Sequence, residues 1–379
     1  MNIKYDTLPS PCYVMDELRF RKNLEKIRRT ADDAGVEIIL AFKGFAMWGV
    51  FDILREYFSG ASASSVNEAR LCFEEVGSYA HTYSPVFREG EFGSIMKYSS
   101  HVTFNSLYQY KKYSDRLKRY RRKISPGIRI NPGFSEISHG LYNPCSPGSR
   151  LGVTADDLRS GLPEGIEGLH FHVLFESDSY ALGKILKVVE SDFGHLFSRL
   201  KWINMGGGHL ITGKNYDTDH LINLLRDFKK RTGLHIILEP GSAFAWETGE
   251  LVATVEDIVV NTDIRTAILD VSFTAHMPDC LEMPYKPKVL NATDPVIGKP
   301  TYRLGGNSCL SGDFIGDWSF DHELIPGERI IFMDMIHYTM VKTTTFNGVQ
   351  HPSIGIWTSD NKFRLIRKFS YRDYKNRLS

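Results

Sequence analysis

Short apolar segments recur along the first two-thirds of this chain, and each one runs into Gly, Ser, Asn or Pro. Helix-like stretches fill several of the gaps; one has Asp217 or Asp219 as a possible N-cap and closes at Gly233. Eight strands that alternate with helices are typical of a (β/α)₈ TIM barrel, whose reactive groups lie at the C-terminal ends of the strands. The pattern therefore predicts an α/β fold with such a barrel over residues 20–245. The segments begin at Glu37, Phe58, Ala80, His101, Ser125, Leu169, Trp202 and His235.

The pattern changes after about Trp246. The remaining apolar stretches read as strands joined by short turns, with few helical segments between them. They predict a second, mostly β domain, resembling a β-barrel or sandwich, built from residues 1–19 and 246–379. The strand-like stretches are "PCYVMD", "LVATVEDIVV", "RTAILDVSF", "TYRLGG", "ERIIFMDMIHYTMV", "SIGIWT" and "KFRLIRKF".

Charge and composition exclude several classes of function. The chain has 46 Lys and Arg against 45 Asp and Glu, so no overall field attracts it to nucleic acid or to a membrane surface. The N-terminus lacks the apolar region of a signal peptide, and no apolar run is long enough to span a bilayer. The five cysteines form no C-x-x-C pair, which suits a reducing compartment. We expect a cytoplasmic protein without a nucleic-acid or membrane partner.

Two glycine-rich loops follow the seventh and eighth predicted strands. They contain Gly206, Gly207 and Gly208 in one loop, and Gly241 with Ser242 in the other. Barrels of this kind commonly bind phosphate in these two loops, where backbone N–H groups approach the anion closely. Three glycines alone are more often a tight turn, but two such loops at the expected strands favour a phosphate site.

The first predicted strand, "EIILAFKG", ends on a lysine. Lys43 there is most simply a side chain that extends into solvent, but an apolar setting also favours the neutral amine that condenses with an aldehyde. Together with a phosphate site on the same rim, it suggests pyridoxal 5′-phosphate, which carries both groups. Glu239 would then face the pyridine nitrogen, and His172 would stack on the ring, although a histidine in "HFH" alone is more often a core residue.

Several motifs resemble the alanine-racemase-like group of pyridoxal-phosphate enzymes, in the branch that contains ornithine, arginine and diaminopimelate decarboxylases. These motifs are "AFKGF", "LHFHVL", "NMGGGH", "LEPGS" and "CLSGD". Within that branch the chain is most similar to carboxynorspermidine/carboxyspermidine decarboxylases, as indicated by "HTYSPVF", "AILDVSFTAHMPD" and "IHYTMVKTTTFNG". The resemblance extends over essentially the whole chain.

The resemblance implies a lyase of polyamine and spermidine biosynthesis that acts as a head-to-tail homodimer with shared active sites. Lys43 would hold the cofactor covalently, His172 would stack on its ring, and Glu239 would pair with the ring nitrogen near the substrate. The two glycine loops and Tyr338 would bind the phosphate. Cys309 would enter from the partner subunit and protonate the substrate α-carbon, a step to which a thiol is suited.

One departure from the related enzymes bears on the substrate. In the ornithine and diaminopimelate enzymes an acidic residue directly follows this cysteine, whereas Leu310 occupies that place here. The change favours a longer or differently placed substrate, namely a carboxylated polyamine. Residues that could bind its amines are Asp270, His276, Asp279 and Asp313, each of which could equally be a loop or turn residue.

Three other interpretations stay open. They are another decarboxylase of the same fold (a basic amino-acid decarboxylase) or a racemase, a non-catalytic pyridoxal-phosphate carrier and a cofactor-free lysine aldolase. The β domain with "CLSGD" argues against a carrier, and Glu239 has no function in an aldolase of that kind. The sequence assigns no role to Arg129, Arg150 or the irregular loop 133–150, which is expected to lie near the active site, and it predicts no metal.

Overall fold

The computed structural model describes residues 3–137 and 140–379, so Ser138 and His139 of the expected active-site loop lie outside the described residues. The chain forms two compact units, Asn23–Phe244 and the combination of Met1–Lys22 with Ala245–Ser379. We call them the barrel unit and the β unit. The domain ranges expected from the sequence were 20–245 for the barrel and 1–19 with 246–379 for the β domain.

The described elements have the following bounds. The strands are β1 (Cys12–Asp16), β2 (Glu37–Ile38), β3 (Leu40–Ala41), β4 (Ala61–Ala63), β5 (Ala80–Tyr83), β6 (Ser99–Phe104), β7 (Ser125–Arg129), β8 (Gly168–His170), β9 (Trp202–Asn204), β10 (His235–Leu238), β11 (Gly249–Asn261), β12 (Ile264–Leu269), β13 (Thr301–Gly305), β14 (Phe314–Ser319), β15 (Arg329–Met333), β16 (Ser353–Trp357) and β17 (Phe363–Arg367). The α-helices are α1 (Glu17–Ala34), α2 (Phe51–Arg55), α3 (Val66–Leu71), α4 (Phe92–Tyr98), α5 (Leu107–Arg119), α6 (Ser179–Phe193), α7 (Thr218–Thr232), α8 (Ser242–Ala245), α9 (Phe273–His276), α10 (Pro278–Glu282), α11 (Tyr338–Val341) and α12 (Tyr371–Leu378).

The barrel unit contains a nearly closed parallel sheet of strands β2 to β10. Its order is β2-β10-β9-β8-β7-β6-β5-β4-β3, so the two ends of the sheet belong to one stretch of chain that is interrupted at Ile39. The Ile39 N–H donates to the Leu238 carbonyl at 2.9 Å, and the Leu40 N–H donates to the Gly60 carbonyl at 3.2 Å. The predicted TIM-type barrel is therefore confirmed, with its first strand divided in two.

One large side chain fills much of the barrel interior. Trp202 packs with Ile39 and Ile237, and a Cβ at Gly127 or Gly168 would lie 2.3 Å or 2.0 Å from atoms of its ring. Only glycine at these two positions leaves room for the indole between the strands. The Trp202 indole N–H donates to Ser125 Oγ at 2.8 Å, which fixes the ring in place.

Helix α7 shows how local sequence sets the boundaries of an element. Asp217 is the N-cap, and its carboxylate accepts from the His220 N–H at 2.9 Å. Gly233 ends the helix in the left-handed region at φ +71°, which glycine adopts at little cost. The α7 boundaries predicted from these two residues are confirmed.

The β unit is a mixed sheet with the strand order β14-β13-β12-β11-β1-β16-β17, and β15 also pairs with β11. Strand β1 joins this sheet as predicted, antiparallel to β11 and parallel to β16. Two details differ from the expectation. The stretch "ERIIFMDMIHYTMV" is a strand only to Met333, because Asp334 turns the chain at φ +62° and Tyr338–Val341 is helical. Strand β14 was not predicted.

Residues 3–137 and 140–379 contain neither a membrane-spanning helix nor a cluster of metal-binding side chains. None of the helices there combines the length and the apolar character needed to cross a membrane. No cluster of three or more His, Cys, Asp or Glu side chains in that part of the chain could hold a metal ion.

Candidate active site

Lys43 lies in the turn that follows β3, at the C-terminal rim of the barrel. The turn is closed by the Gly44 N–H, which donates to the Ala41 carbonyl at 3.0 Å. A Cβ at Gly44 would lie 2.8 Å from Gly241 Cα and 2.9 Å from Ser242 N. Because each of the two segments has a glycine at the point of contact, the turn that contains Lys43 packs directly against the loop after β10.

The surroundings of Lys43 favour its neutral form. The side chain is exposed at the rim, but protein atoms surround the ammonium closely, and this loss of hydration lowers its pKa to about 8. The positive charge of Arg129 acts in the same direction, while Glu239 and Glu68 oppose it. At pH 7 roughly a tenth of Lys43 is therefore an uncharged nucleophile, far more than for a lysine with the ordinary pKa.

The glycines after β9 allow three chain segments to meet at very short range. A Cβ at Gly206 would lie 2.4 Å from the Phe171 carbonyl, and one at Gly207 would lie 2.4 Å from the Glu239 carbonyl. Gly206 and Gly208 also have φ values of +69° and +89°. These glycines are therefore required by packing and by backbone conformation. The N–H groups of Gly206 and Gly207 donate to Asn204 Oδ1 and His172 Nδ1 and tie the loop to its neighbours.

His172 follows β8 and lies against the first glycine loop. Its Nδ1 is 3.1 Å from both the Gly207 carbonyl oxygen and the Gly207 N–H. Burial lowers the pKa of His172 well below its usual value, and the charges of Lys43 and Arg129 lower it further. The ring is a neutral imidazole, which can stack on an aromatic ligand without adding positive charge.

Glu239 lies at the end of β10 and keeps its charge. Its Oε1 accepts from Asn204 Nδ2 at 2.6 Å, and its Oε2 is 3.8 Å from His170 Nε2. Burial raises the pKa of this carboxyl, but the nearby His170 ring and the hydrogen bond from Asn204 outweigh burial and bring it down to about 2. A carboxylate that stays ionised can balance a protonated ring nitrogen.

Arg129 places a buried cation at the same rim. It is 4% exposed, donates to the His172 carbonyl at 3.1 Å and lies 4.6 Å from the centre of the Tyr83 ring. Within the described part of the chain it forms no salt bridge with a carboxylate. A buried guanidinium without such a partner favours an anionic ligand. Arg150, whose role was open, uses its carbonyl to accept from Asn105 Nδ2 at 2.8 Å.

Cys309 lies in the β unit, on the loop between β13 and β14. It is exposed, and its N–H donates to Asn347 Oδ1 at 2.8 Å. Leu310 beside it is 44% exposed, so the position that is acidic in the ornithine and diaminopimelate enzymes presents an apolar side chain here. Asp313 organises this loop, because its carboxylate accepts from the Thr274 N–H at 2.9 Å and the Ser308 N–H at 3.1 Å.

The other proposed substrate ligands also lie in the β unit. His276 is fully buried, and burial lowers its pKa to about 3; its Nε2 has no hydrogen-bond partner in the described part of the chain. Asp279 Oδ2 accepts from Tyr285 and Thr339, while its Oδ1 is buried without a partner among the same residues. Asp270 is half-buried and accepts from the Thr254 N–H at 2.8 Å. Their role as substrate ligands stays a prediction.

The structure brings the barrel residues proposed from the sequence together on one rim. They are Lys43, His172, Gly206, Gly207, Gly208, Glu239, Gly241 and Ser242. Tyr338 begins α11 of the β unit. Sequence reasoning missed three residues of the rim, Glu68, His170 and Asn204. The alternation in "LHFH" and the Asn directly before "MGGGH" were the available signals for two of them.

The donor set of the barrel rim fits pyridoxal 5′-phosphate. A neutral amine at Lys43 suits its aldehyde, the ionised Glu239 suits its ring nitrogen, and the neutral His172 suits its ring face. The buried Arg129 suits its negative charges. Each chemical group of the cofactor thus has a residue of matching character.

Comparison with known proteins gives one family. The family described as "Pyridoxal-dependent decarboxylase, C-terminal sheet domain" matches residues 12–336. The chain is 50% identical to carboxyaminopropylagmatine decarboxylase of Synechocystis sp., over 100% of this chain and 97% of that protein. It is 42% identical to carboxynorspermidine/carboxyspermidine decarboxylase of Campylobacter jejuni, over 98% of this chain and 99% of that protein.

Solved structures agree with this similarity. The crystal structure of carboxynorspermidine decarboxylase from Campylobacter jejuni, in complex with norspermidine, superposes with a TM-score of 0.91 at 41% identity, covering 98% of this chain and 100% of that one. Diaminopimelate decarboxylase from M. jannaschii superposes with a TM-score of 0.78 at 19% identity, covering 97% and 92% of the two chains, and shows the shared fold.

Proposed function

Because this chain belongs to the pyridoxal-dependent decarboxylase family, we propose that it removes the carboxylate from the α-carbon of a carboxylated linear triamine. The substrates are carboxynorspermidine and carboxyspermidine, and the products are norspermidine and spermidine. Diaminopimelate, ornithine and arginine are weaker substrates of this chain. A protein that only carries the cofactor is disfavoured, because the relatives with full-length similarity are named as decarboxylases.

The observation that carries this proposal is similarity along both whole chains to an enzyme whose structure was solved with norspermidine bound. The substitution at Leu310 supports it. An apolar side chain after Cys309 cannot form an ion pair with the second amine of a short diamino acid. Selection for a longer substrate then depends on carboxylates elsewhere, for which Asp270, Asp279 and Asp313 are the candidates in the β unit.

The barrel residues would hold the cofactor. Lys43 would bind the aldehyde, the ionised Glu239 would pair with the ring nitrogen, and the neutral His172 would cover one ring face. The two glycine loops and Tyr338 would bind the phosphate. When bound, the cofactor accepts the electron pair that the departing carboxylate leaves behind.

Cys309 of the partner subunit completes the reaction. The bond between the α-carbon and the carboxylate breaks, CO₂ leaves, and the thiol proton is transferred to the α-carbon. Solvent then reprotonates the thiolate. A proton donor at this step contributes roughly 10²–10⁴-fold to the rate. Cys309→Ala should therefore lower kcat by that factor while it leaves cofactor affinity within about twofold of the wild type.

A second candidate substrate is carboxyaminopropylagmatine, because the chain is 50% identical to a decarboxylase named for it. The two substrate classes differ at the far end, where one has a compact ammonium group and the other a planar guanidinium. A site built for a guanidinium uses paired carboxylate oxygens, and exchanging the two cations at such a site is not conservative. The specificity constants separate the two candidates.

The test is a CO₂-release assay with carboxynorspermidine, carboxyspermidine, carboxyaminopropylagmatine, diaminopimelate, ornithine and arginine, each analysed for kcat/KM. We expect carboxynorspermidine and carboxyspermidine to agree within roughly 200-fold, since one methylene in a pocket is worth about 1–3 kcal/mol. A higher kcat/KM for diaminopimelate, ornithine or arginine would refute the proposal. Carboxyaminopropylagmatine as the best substrate would establish the second candidate instead.

Lys43→Ala provides the matched control. Borohydride reduction of the wild-type holoenzyme should fix the cofactor to the peptide that contains Lys43, as read by mass spectrometry, and the variant should show no adduct. Full turnover by Lys43→Ala would contradict the role given to this lysine.

We also propose that the enzyme acts as a homodimer in the cytoplasm. The exposed Cys309 supports the dimer, because a thiol at the surface of one subunit can serve the barrel of another. Mixing inactive Lys43→Ala with inactive Cys309→Ala subunits tests it. Exchange should restore up to about one quarter of the wild-type activity, since one site in each mixed dimer is intact and half the dimers are mixed. No recovery after subunit exchange would refute shared sites.

A further inference from the structure

His170 faces the carboxylate that holds the ring nitrogen of the cofactor. Among the described residues it alone brings a basic side-chain nitrogen within 4.0 Å of a Glu239 oxygen, with Nε2 and Oε2 3.8 Å apart. The other oxygen accepts from Asn204 Nδ2 at 2.6 Å. The Asn204 amide oxygen in turn accepts from the Gly206 N–H at 2.9 Å. Glu239 is therefore held from two sides by neighbouring strands, β8 and β9.

The imidazole of His170 is built into the barrel interior. It is 3% exposed and stacks on the Tyr83 ring with the two ring centres 5.2 Å apart and a 30° angle between the planes. The Tyr83 hydroxyl donates to Asn105 Oδ1 at 2.8 Å, which fixes the aromatic ring behind the imidazole. The backbone of His170 is also fixed, because its carbonyl accepts from the Ile130 N–H at 2.8 Å.

The neighbours of His170 determine which of its ring nitrogens carries the proton. Burial lowers the pKa of His170, and the cations Arg129 and Lys43 lower it further, so the ring is neutral despite Glu239. A neutral imidazole has one N–H, and a lone pair on Nε2 would point at a negatively charged oxygen. Nδ1 is buried and has no hydrogen-bond partner within the described ranges. The N–H therefore belongs on Nε2, directed towards Glu239.

We propose that His170 is a positioning residue whose neutral ring, with its Nε2–H facing Glu239 Oε2 at 3.8 Å, orients this carboxylate towards the protonated ring nitrogen of the cofactor. A cationic partner would neutralise this carboxylate, whereas a neutral donor orients it and leaves its charge for the ring nitrogen. This inference rests on the cofactor site of the proposed function and does not depend on which polyamine is the substrate.

The test compares two cofactors that differ only at the ring nitrogen. Apoenzyme is titrated with pyridoxal 5′-phosphate and with its 1-deaza analogue, which has C–H in place of the nitrogen, and binding is followed by quenching of tryptophan fluorescence. His170→Leu should weaken binding of pyridoxal 5′-phosphate by roughly 10–100-fold, because the buried carboxylate loses the polar group that faces its Oε2. It should weaken binding of the deaza analogue by less than about threefold, because Glu239 has no ring nitrogen to meet there.

Two matched variants separate positioning from general packing. His170→Gln retains a neutral N–H donor and should keep the wild-type preference for pyridoxal 5′-phosphate within about threefold. His101→Leu removes another imidazole of the barrel interior, one that packs 5.4 Å from the Trp202 ring, and should change the affinity for both cofactors equally. Equal losses for both cofactors in His170→Leu would show a structural role and overturn the proposal.

A third measurement uses the wild-type enzyme, so its result does not depend on whether a variant folds. In ¹⁵N-histidine-labelled holoenzyme at pH 7, the resonances of His170 should show a neutral ring protonated at Nε2. A ring protonated at Nδ1, or a charged ring, would refute the assignment. Neither experiment requires turnover, so both results stand apart from the substrate assays.

Discussion

Gly168→Ala should destabilise the barrel by about 3 kcal/mol, at the upper end of the range for overpacking a core. The added Cβ would lie 2.0 Å from Trp202 Cδ2 and 2.1 Å from Cε2. Carbon atoms pack at about 3.5–4.0 Å, so the ring or the strand must move by roughly 1.5 Å. The ring has little freedom, because its N–H is bonded to Ser125 and a Cβ at Gly127 would touch it from a second strand.

A glycine in a helix gives the matched control. Gly183 lies inside α6, and a Cβ there would meet only the Leu224 side chain, with Cδ2 at 3.7 Å and Cδ1 at 3.9 Å, which are ordinary contacts. Gly183→Ala should stabilise the enzyme by about 0.5–1 kcal/mol, because alanine loses less conformational entropy in a helix. The same chemical change thus has opposite signs at the two positions.

The assay is urea unfolding of the apoenzyme followed by circular dichroism, since bound cofactor would add stability through mass action. In the Trp202→Leu background the indole is gone, and adding Gly168→Ala should cost less than about 1 kcal/mol. An additive effect of the two substitutions, or a loss below about 0.5 kcal/mol for Gly168→Ala alone, would show that the ring does not limit this position. Because β8 also carries His170, Gly168→Ala should weaken cofactor binding in the tryptophan-fluorescence titration of the apoenzyme.

Three further outcomes are expected. Asn204→Leu removes the 2.6 Å hydrogen bond to Glu239. In the fluorescence titration it should weaken binding of pyridoxal 5′-phosphate to the apoenzyme by roughly 10-fold or more. Unchanged affinity would contradict the role of this amide. Burial holds the pKa of His101 and His276 at about 3, so between pH 7 and pH 5 the unfolded chain takes up protons that the folded chain does not. The free energy of unfolding should therefore fall by up to roughly 2 kcal/mol for each histidine over this pH range. His101→Leu should reduce the fall measured by urea unfolding at the two pH values, and an unchanged fall would be inconsistent with a neutral His101. Asp313→Asn leaves either the Thr274 or the Ser308 backbone N–H without its acceptor and should lower the free energy of unfolding by roughly 1–3 kcal/mol. Unchanged stability with a KM raised more than tenfold would make Asp313 a substrate ligand instead.

Much of the barrel could be predicted from the sequence, because parallel strands covered on both faces are continuous apolar runs with clear ends. The interruption at Ile39 could not, since it depends on pairing with Leu238 on one side and Gly60 on the other. The same limit applied to "ERIIFMDMIHYTMV", where the apolar run continues past the point at which Asp334 turns the chain. Local pattern gives the presence of a strand more securely than its end.

The candidate site shows the same division. Lys43 and the glycine loops could be predicted because strand ends converge on one rim of a barrel. His170 and Asn204 were missed because they act through Glu239, a contact between strands that local sequence does not reveal. The Asp313 carboxylate binds the Thr274 N–H, 39 residues away, and no local pattern indicates such a contact.

The position of β1 has a consequence for how the chain matures during synthesis. All barrel strands lie between residues 23 and 244 and can pair while the remainder is still being translated. Strand β1 emerges from the ribosome before any of them, yet one of its two neighbours in the sheet is Ser353–Trp357, more than 330 residues later in the chain. One edge of this early segment therefore has no native neighbour until residues 353–357 have been translated, and during that interval its backbone is open to pairing with other nascent chains.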